Sequence, residues 1–140
     1  MREILFRGKR MDNGEWMYGY YFQKKNPLSE DGFPVINCIS DVSPFGAEVD
    51  PETVGQYTGF TDINGVKIFE GDIVKITDKY GKSEVYVVEF YMGAFALRRM
   101  DVEYRLQFID FPLRYYDFEV IGNIYGNPEL LKEGGAERDH

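Results

Sequence analysis

Histidine, cysteine and tryptophan are almost absent from this chain of 140 residues, which has one of each: His140, Cys38 and Trp16. A histidine at the last position cannot be held within hydrogen-bond reach of a substrate, so we expect no catalytic imidazole. A single cysteine forms no internal disulfide, and Cys38 has the features of a buried, unreactive strand thiol. The usual zinc ligands are also too few. We therefore expect a protein that is not an enzyme and holds neither a metal nor a cofactor.

Long apolar runs and a surplus of basic residues are absent as well. No stretch reaches the ~20 apolar residues of a transmembrane helix, and the opening residues 1–4 lack the apolar run of a signal peptide. We therefore expect a cytoplasmic protein without a membrane partner. The formal net charge is -8, whereas nucleic-acid affinity normally needs a basic face. This charge favours solubility, and an acidic DNA mimic that inhibits a host protein is an alternative.

Aromatic residues, in contrast, are abundant, with 11 tyrosines and 11 phenylalanines, and aromatic residues favour strands. Apolar and polar positions alternate with the period of two that indicates half-buried strands. In the segment that starts at Trp16, the aromatic side chains at 16, 18, 20 and 22 fall on one face. We predict strands over 4–7, 15–23, 35–39, 73–77, 85–91, 94–99, 102–108 and 116–121.

Glycine turns separate these strands. Asn64-Gly65 predicts a tight hairpin or a comparable turn, because both central positions of a two-residue type I′ turn need φ > 0, which Asn and Gly adopt most readily. Glu70-Gly71-Asp72 predicts a left-handed or bulged corner, and Asp50-Pro51 predicts a short capped helical turn. Short strands joined by glycine turns are typical of a barrel or sandwich. We predict a mostly β fold with a single domain over 1–132, a barrel core at about 56–126 that an N-terminal hairpin and loops elaborate, and a flexible tail at 133–140.

Five blocks of sequence carry a family resemblance. They are Arg2–Gly8, Trp16 with Tyr18-Gly19, Glu52–Gly59, Asp62–Val74 and Val120–Leu131. In these blocks and in their order the chain resembles the YopX family of phage and prophage proteins. The resemblance implies a predominantly β fold with an SH3-like barrel, a gene carried by a mobile element, and no known biochemical activity. The chain departs from the family pattern at Ile63 and Gly126, and neither position belongs to a known active site.

Three carboxylates lie near the glycine corners: Asp62, Glu70 and Asp72. They are the nearest approach to a catalytic pair, but acidic residues beside turns more often accept hydrogen bonds from the backbone. We expect that structural role here. The run Asp62–Gly65 also matches part of an EF-hand loop, but in that register Phe60 and Gly71 would take the first and twelfth positions, where calcium needs carboxylates. We therefore expect no calcium site.

Surface recognition is the leading functional prediction. The aromatic residues exceed what one small core absorbs, so we expect Trp16, Tyr57 and Tyr115 to be partly exposed at an interface with another protein or with a second copy of the chain. Basic residues beside aromatics offer an alternative, in which single-stranded nucleic acid stacks on the surface. The basic residues of that alternative are Arg98, Arg99 and Arg114. The sequence thus predicts a phage-encoded interaction module of unknown biochemical function.

Overall fold

The structure, a computed structural model, describes residues 3–41, 46–99 and 106–131. These residues form a mostly β protein, as the sequence predicts, and the strands form two antiparallel sheets. The chain divides into two compact units, Met1–Tyr57 and Thr58–His140. The single domain over 1–132 stays a prediction, and the predicted tail at 133–140 lies outside the described residues.

The first unit is a small sheet. Its strands are β1 (Phe6–Lys9), β2 (Trp16–Lys24), β3 (Ile36–Ser40) and β4 (Ala47–Glu48), in the order β4-β3-β2-β1. Gly19 allows β2 and β3 to approach closely, because a Cβ there would lie 2.1 Å from the carbonyl oxygen of Ser40. The 3-10 helix η1 (Pro51–Thr53) begins as predicted, with the Asp50 side chain accepting a hydrogen bond from the N–H of Glu52 at 3.1 Å.

Strand β5 (Gly55–Thr61) runs from the first unit into the second. Its first residues pair with β1, where Gln56 lies opposite Phe6. Its later residues belong to the second unit, in which β5 is followed by β6 (Lys67–Phe69). The hydroxyl of Thr58 donates a hydrogen bond to the carbonyl of Ile68 at 2.8 Å, and this bond ties the end of β5 to β6.

The second unit contains a five-stranded antiparallel sheet. Strands β7 (Asp72–Thr77), β8 (Ser83–Tyr91), β9 (Ala94–Arg98) and β10 (Leu106–Phe108) form a meander, and β11 (Asp117–Asn123) returns to pair with β7. The order is β10-β9-β8-β7-β11. One face packs around a buried cluster of Ile68, Val74, Ile76, Tyr86, Val88, Leu97, Ile109 and Phe118. The described strands form two sheets without a closed barrel, so the SH3-like barrel stays a prediction.

The turn between β5 and β6 differs from the type I′ geometry. Gly65 has a positive φ of 80°, but Asn64 does not, so the turn is a comparable tight turn and not the two-residue type I′ turn. The N–H of Asp62 donates to Val66 O at 2.8 Å, and the N–H of Gly65 donates to Asp62 O at 3.0 Å. This is a three-residue loop with glycine at the left-handed position. The carboxylate of Asp62 selects it by accepting the N–H groups of Asn64 and Val66, each at 2.8 Å.

One helix was not predicted. Pro112 reads in the sequence as a break in a strand ladder, but it lies in the first turn of α1 (Asp110–Tyr115). Proline is tolerated there because the first N–H groups of a helix have no partner within the helix. The other predicted strands agree with the structure to within about two residues at their ends, which is the usual uncertainty of such boundaries. In the predicted strand 102–108, residues 102–105 lie outside the described residues.

Candidate interaction surface

The first unit holds two of the aromatic residues that the sequence assigns to an interface. Trp16 is half-buried, and its ring lies 4.6 Å from the guanidinium carbon of Arg7 and 5.5 Å from the ammonium of Lys9. Tyr57 is only 8% exposed, so the expectation of partial exposure is wrong for this residue. Its backbone N–H donates to Leu5 O at 2.7 Å.

The two arginines at the end of β9 are paired with carboxylates. The guanidinium of Arg98 donates three hydrogen bonds to Glu89 at 2.7–3.0 Å. These hydrogen bonds raise the pKa of Arg98 above its ordinary value. Arg99 Nη1 lies 3.2 Å from Glu84 Oε1. Both cations therefore already have an anion within reach, which weakens their attraction for phosphate groups.

Arg114 and Tyr115 lie on the last turn of α1, where both are exposed. Tyr115 is 63% exposed, as the sequence predicts for an interface aromatic. Arg98, Arg99, Arg114 and Tyr115 all belong to the second unit, but only the last two present exposed side chains.

One group of exposed apolar side chains at a turn of the second unit was not predicted. The loop between β8 and β9 carries Phe90, Tyr91 and Met92, which are 52%, 46% and 80% exposed. We call these three residues with Gly93 the hairpin tip. Met92 has φ = 52° and Gly93 has φ = 82°, and Tyr91 pairs directly with Ala94. The two-residue loop with positive φ at both central positions, which Asn64-Gly65 does not form, is found here.

The hairpin tip has a firm base. The rings of Phe90 and Phe95 meet edge to face, with centroids 5.2 Å apart, a geometry that stabilises aromatic pairs. Phe108 lies on the neighbouring strand β10, opposite Ala96, and is 49% exposed. Phe108 therefore adds an exposed apolar side chain on the face of the sheet opposite to the Phe90–Phe95 pair. The sequence signal for this surface is Met92 before a turn glycine, at a position that favours Asn or Gly.

The carboxylates at the glycine corners hold the backbone in place. Asp62 is 7% exposed, and its Oδ2 accepts the N–H of Val120 on β11 at 2.9 Å. Asp72 is 2% exposed, and its Oδ2 accepts the N–H of Phe69 at 2.7 Å. Burial acts to raise the pKa of Asp62, but hydrogen bonds from Val120, Val66 and Asn64 outweigh it, so this pKa lies below its ordinary value. Both acids have the structural role that the sequence predicts.

The remaining candidate groups for chemistry are buried or dispersed. Cys38 on β3 is 1% exposed, and burial raises the pKa of its thiol. Across the described ranges, His, Cys, Asp and Glu side chains nowhere come together in threes, as a metal site would need. The same ranges contain no helix with the length and apolar character of a membrane span.

Among the solved structures that match, two resemble most of the chain. The crystal structure of protein EF1440 from Enterococcus faecalis matches with a TM-score of 0.53 and 25% identity, over 94% of this chain and 99% of that one. The crystal structure of protein yopX from Bacillus subtilis matches with a TM-score of 0.50 and 22% identity, over 93% and 98% of the two chains, and at that identity it speaks for the fold alone. A search of the curated proteins found no match.

These features define a class of mostly β proteins in which two buried aspartates, Asp62 and Asp72, and the buried Cys38 belong to the folded framework. A comparison with models of protein families shows which family the chain belongs to. The model described as YopX protein matches residues 5–132, so the chain belongs to the YopX family.

Proposed function

We propose that this protein is a non-enzymatic interaction module of a phage or prophage, and that it binds another protein through the hairpin tip in the cytoplasm of the bacterial host. The observation that carries the proposal is the conformation and exposure of Met92 at φ = 52°. Membership of the YopX family supports the mobile-element origin.

The left-handed conformation of Met92 has an energetic cost. For a residue with a Cβ it costs about 1–2 kcal/mol, which Asn or Gly would largely avoid. Met92 is 80% exposed, so packing within the chain returns little of this cost. A large apolar side chain held in a strained conformation at the end of a hairpin fits a residue kept for an external contact.

The chemistry of the hairpin tip favours a protein over a nucleic acid. Phe90, Tyr91, Met92 and Gly93 carry no charge, and the arginine nearest to them in the β8–β9 pairing, Arg98, is held by Glu89. Stacked bases need nearby cations for their phosphates. Methionine and aromatic side chains are instead enriched in the cores of protein interfaces. The partner expected here is a protein with an apolar recess.

A different protein suits this tip better than a second copy of the chain. In a dimer, the tip of one copy would need a recess on the other. The second unit has a cavity whose lining includes Asp78, Lys82 and Glu84, and an apolar tip inserted there would leave these charged groups unsatisfied. The test has three competing outcomes: self-association, single-stranded nucleic-acid binding and inhibition by DNA mimicry.

The proposal includes the SH3-like architecture for the second unit. It is supported by the five-stranded antiparallel sheet and by the β5–β6 turn. This turn bonds to β11 through Ile63 N–H to Phe118 O at 2.9 Å and through Asp62. These bonds cover the edge of β11. A rigid scaffold of this kind presents its loops for binding.

The test compares two variants with the wild type. The first replaces the tip side chains, as Phe90→Ser, Tyr91→Ser and Met92→Asn together. The control is Tyr80→Ser, which removes an aromatic that is 82% exposed on the β7–β8 turn. Each protein captures partners from host cells in which the phage is induced, and the captured protein is then purified and titrated directly. Circular dichroism establishes that both variants fold.

We expect wild type and Y80S to bind the same purified partner equally, and the tip variant to bind it at least about tenfold more weakly, a loss of 1.4 kcal/mol. Equal binding by the folded tip variant contradicts the proposal. Two other results contradict it. One is that labelled oligonucleotides bind in a salt-dependent way and no protein partner is captured. The other is that sedimentation shows a homodimer for the wild type and a monomer for the tip variant.

A further inference from the structure

A cavity lies in the second unit at the opposite end of β8 from the hairpin tip. Its volume is about 270 Å³. Its walls come from the last residues of β7, the β7–β8 turn, the start of β8, β10 and the region of α1. The lining residues are Ile76, Asp78, Lys82, Glu84, Tyr86, Gln107, Pro112 and Tyr116.

One carboxylate of the cavity is already satisfied. Glu84 Oε2 accepts a hydrogen bond from the hydroxyl of Tyr86 at 2.6 Å, and Glu84 Oε1 lies 3.2 Å from Arg99 Nη1. The charge of Glu84 is therefore balanced by a guanidinium within the protein. This carboxylate orients the Tyr86 hydroxyl and offers little net charge to a ligand.

The other two charges of the cavity are not balanced in this way. Asp78 uses Oδ1 to accept the N–H groups of Tyr80 and Lys82, both at 2.9 Å. In the part of the chain that the structure describes, neither the Asp78 carboxylate nor the Lys82 ammonium forms an ion pair. Although both residues line the same cavity, they are not bonded to each other through their side chains. Each leaves its charge available to a ligand.

The rest of the lining is complementary to a small amphipathic molecule. Gln107 and Tyr116 supply an amide and a phenol, which both donate and accept hydrogen bonds. Ile76 is 7% exposed, and Pro112 is among the fully buried side chains. These two residues add apolar atoms to the lining, but little of either is exposed, so the apolar part of the wall is small. Binding pockets commonly combine such apolar surface with a few polar groups that fix orientation.

We propose that this cavity binds a zwitterionic ligand of the amino-acid class. The ligand ammonium pairs with Asp78, its carboxylate pairs with Lys82, and its apolar side chain lies against Ile76 and Pro112. Two opposite charges that are separate in the protein select a ligand that carries both, because a ligand with one charge leaves the other group unpaired. This inference is independent of the hairpin tip.

The test uses L-leucine and two analogues that each lack one charge. 4-Methylpentanoate is leucine without the ammonium, and 3-methylbutylamine is leucine without the carboxylate. Binding is followed by NMR through the backbone amides of Lys82, Glu84, Gln107 and Tyr116. We expect leucine to shift these amides in a saturable way and each analogue to bind at least about tenfold more weakly.

Charge-neutral variants separate the two contacts. Asp78→Asn retains the side-chain oxygen that accepts the turn N–H groups, and we expect it to weaken leucine and the amine but not 4-methylpentanoate. Lys82→Gln should weaken leucine and 4-methylpentanoate but not the amine. Lys79→Gln is the matched control, because Lys79 lies in the same turn but does not line the cavity. The proposal is overturned if leucine shifts none of these amides, or if either analogue binds as tightly as leucine.

Discussion

The hydrogen bonds of Asp62 give the sharpest prediction about the stability of the second unit. Its carboxylate accepts three N–H groups, from Asn64 and Val66 at 2.8 Å and from Val120 at 2.9 Å. The first two bonds shape the β5–β6 turn, and the third connects that turn to β11, 58 residues further along the chain. Asp62→Asn retains one oxygen for the turn but directs an NH₂ group towards the N–H of Val120.

The magnitude follows from the one contact that the substitution removes. A hydrogen bond to a charged group contributes about 1.5–3 kcal/mol, and a buried N–H left without a partner costs about 1–3 kcal/mol. Both figures describe the loss of the same bond, so they are not added. Because Asp62 is 7% exposed, water replaces the bond poorly. We expect D62N to lower the free energy of unfolding by about 2–3 kcal/mol.

Asp78 provides a matched control within the same chain. It occupies the first position of a similar turn, in which Gly81 has φ = 82° and the Asp78 carboxylate accepts two turn N–H groups at 2.9 Å. It makes no bond to a distant strand among the described residues. Asp78→Asn should therefore cost less than about 1 kcal/mol.

Two measurements test this difference. Urea unfolding followed by circular dichroism gives the loss of stability, and hydrogen exchange reports on the Val120 amide directly. We expect D62N, but not D78N, to accelerate exchange at Val120. Equal stability losses in the two variants, or an unchanged exchange rate at Val120 in D62N, would refute the role assigned to Asp62.

The same bond predicts a dependence on pH. Because the pKa of folded Asp62 lies below the ordinary value of 3.8, the charged form stabilises the fold above that value, and its contribution is lost as the pH falls through the folded pKa. The difference in stability between wild type and D62N should stay constant from about pH 7 to about pH 5 and shrink below pH 3.8. A difference that grows on acidification would show that the sign is wrong.

Three further predictions concern single residues. Gly71→Ala should destabilise the protein by about 2–4 kcal/mol, since Gly71 has φ = 88° and its added Cβ would lie 2.9 Å from the Tyr125 ring. Gly81→Ala should cost only about 1 kcal/mol, because Gly81 has φ = 82° but open space around it. Urea unfolding measures both losses of stability. Met92→Asn should raise the free energy of unfolding by about 1 kcal/mol by relieving the left-handed strain, and a loss of stability would contradict the strain argument. The Cys38 thiol should react with a thiol reagent only after unfolding, and rapid reaction in the native protein would contradict its burial.

The sequence predicts much of the strand framework because alternation and glycine turns are local signals. The strand that begins at Trp16 and the capped turn at Asp50 are found as predicted. The β5–β6 turn does not adopt the type I′ geometry because the Asp62 side chain accepts the N–H groups of Asn64 and Val66. The Asn64-Gly65 pair alone does not indicate this contact. Turn type depends on such side-chain contacts as much as on glycine.

The candidate surface was less predictable because exposure is set by long-range pairing. Tyr57 is only 8% exposed, and Arg98 is paired with Glu89, nine residues away on the neighbouring strand. Neither contact is visible as a local pattern. The sequence contained one usable signal for the hairpin tip, a methionine before a turn glycine, whose meaning depends on knowing that both residues have positive φ.

Site-specific photo-crosslinking tests the central claim, recognition through the hairpin tip, most directly. A benzophenone amino acid placed at Tyr91 samples the tip, and the same probe at Tyr80 samples a comparably exposed aromatic on the other hairpin. In host cells with the induced phage, we expect the probe at position 91 to form one discrete crosslink to a different protein and the probe at position 80 to form none. The same crosslinks from both positions, a crosslinked homodimer, or no crosslink from position 91 would contradict the account.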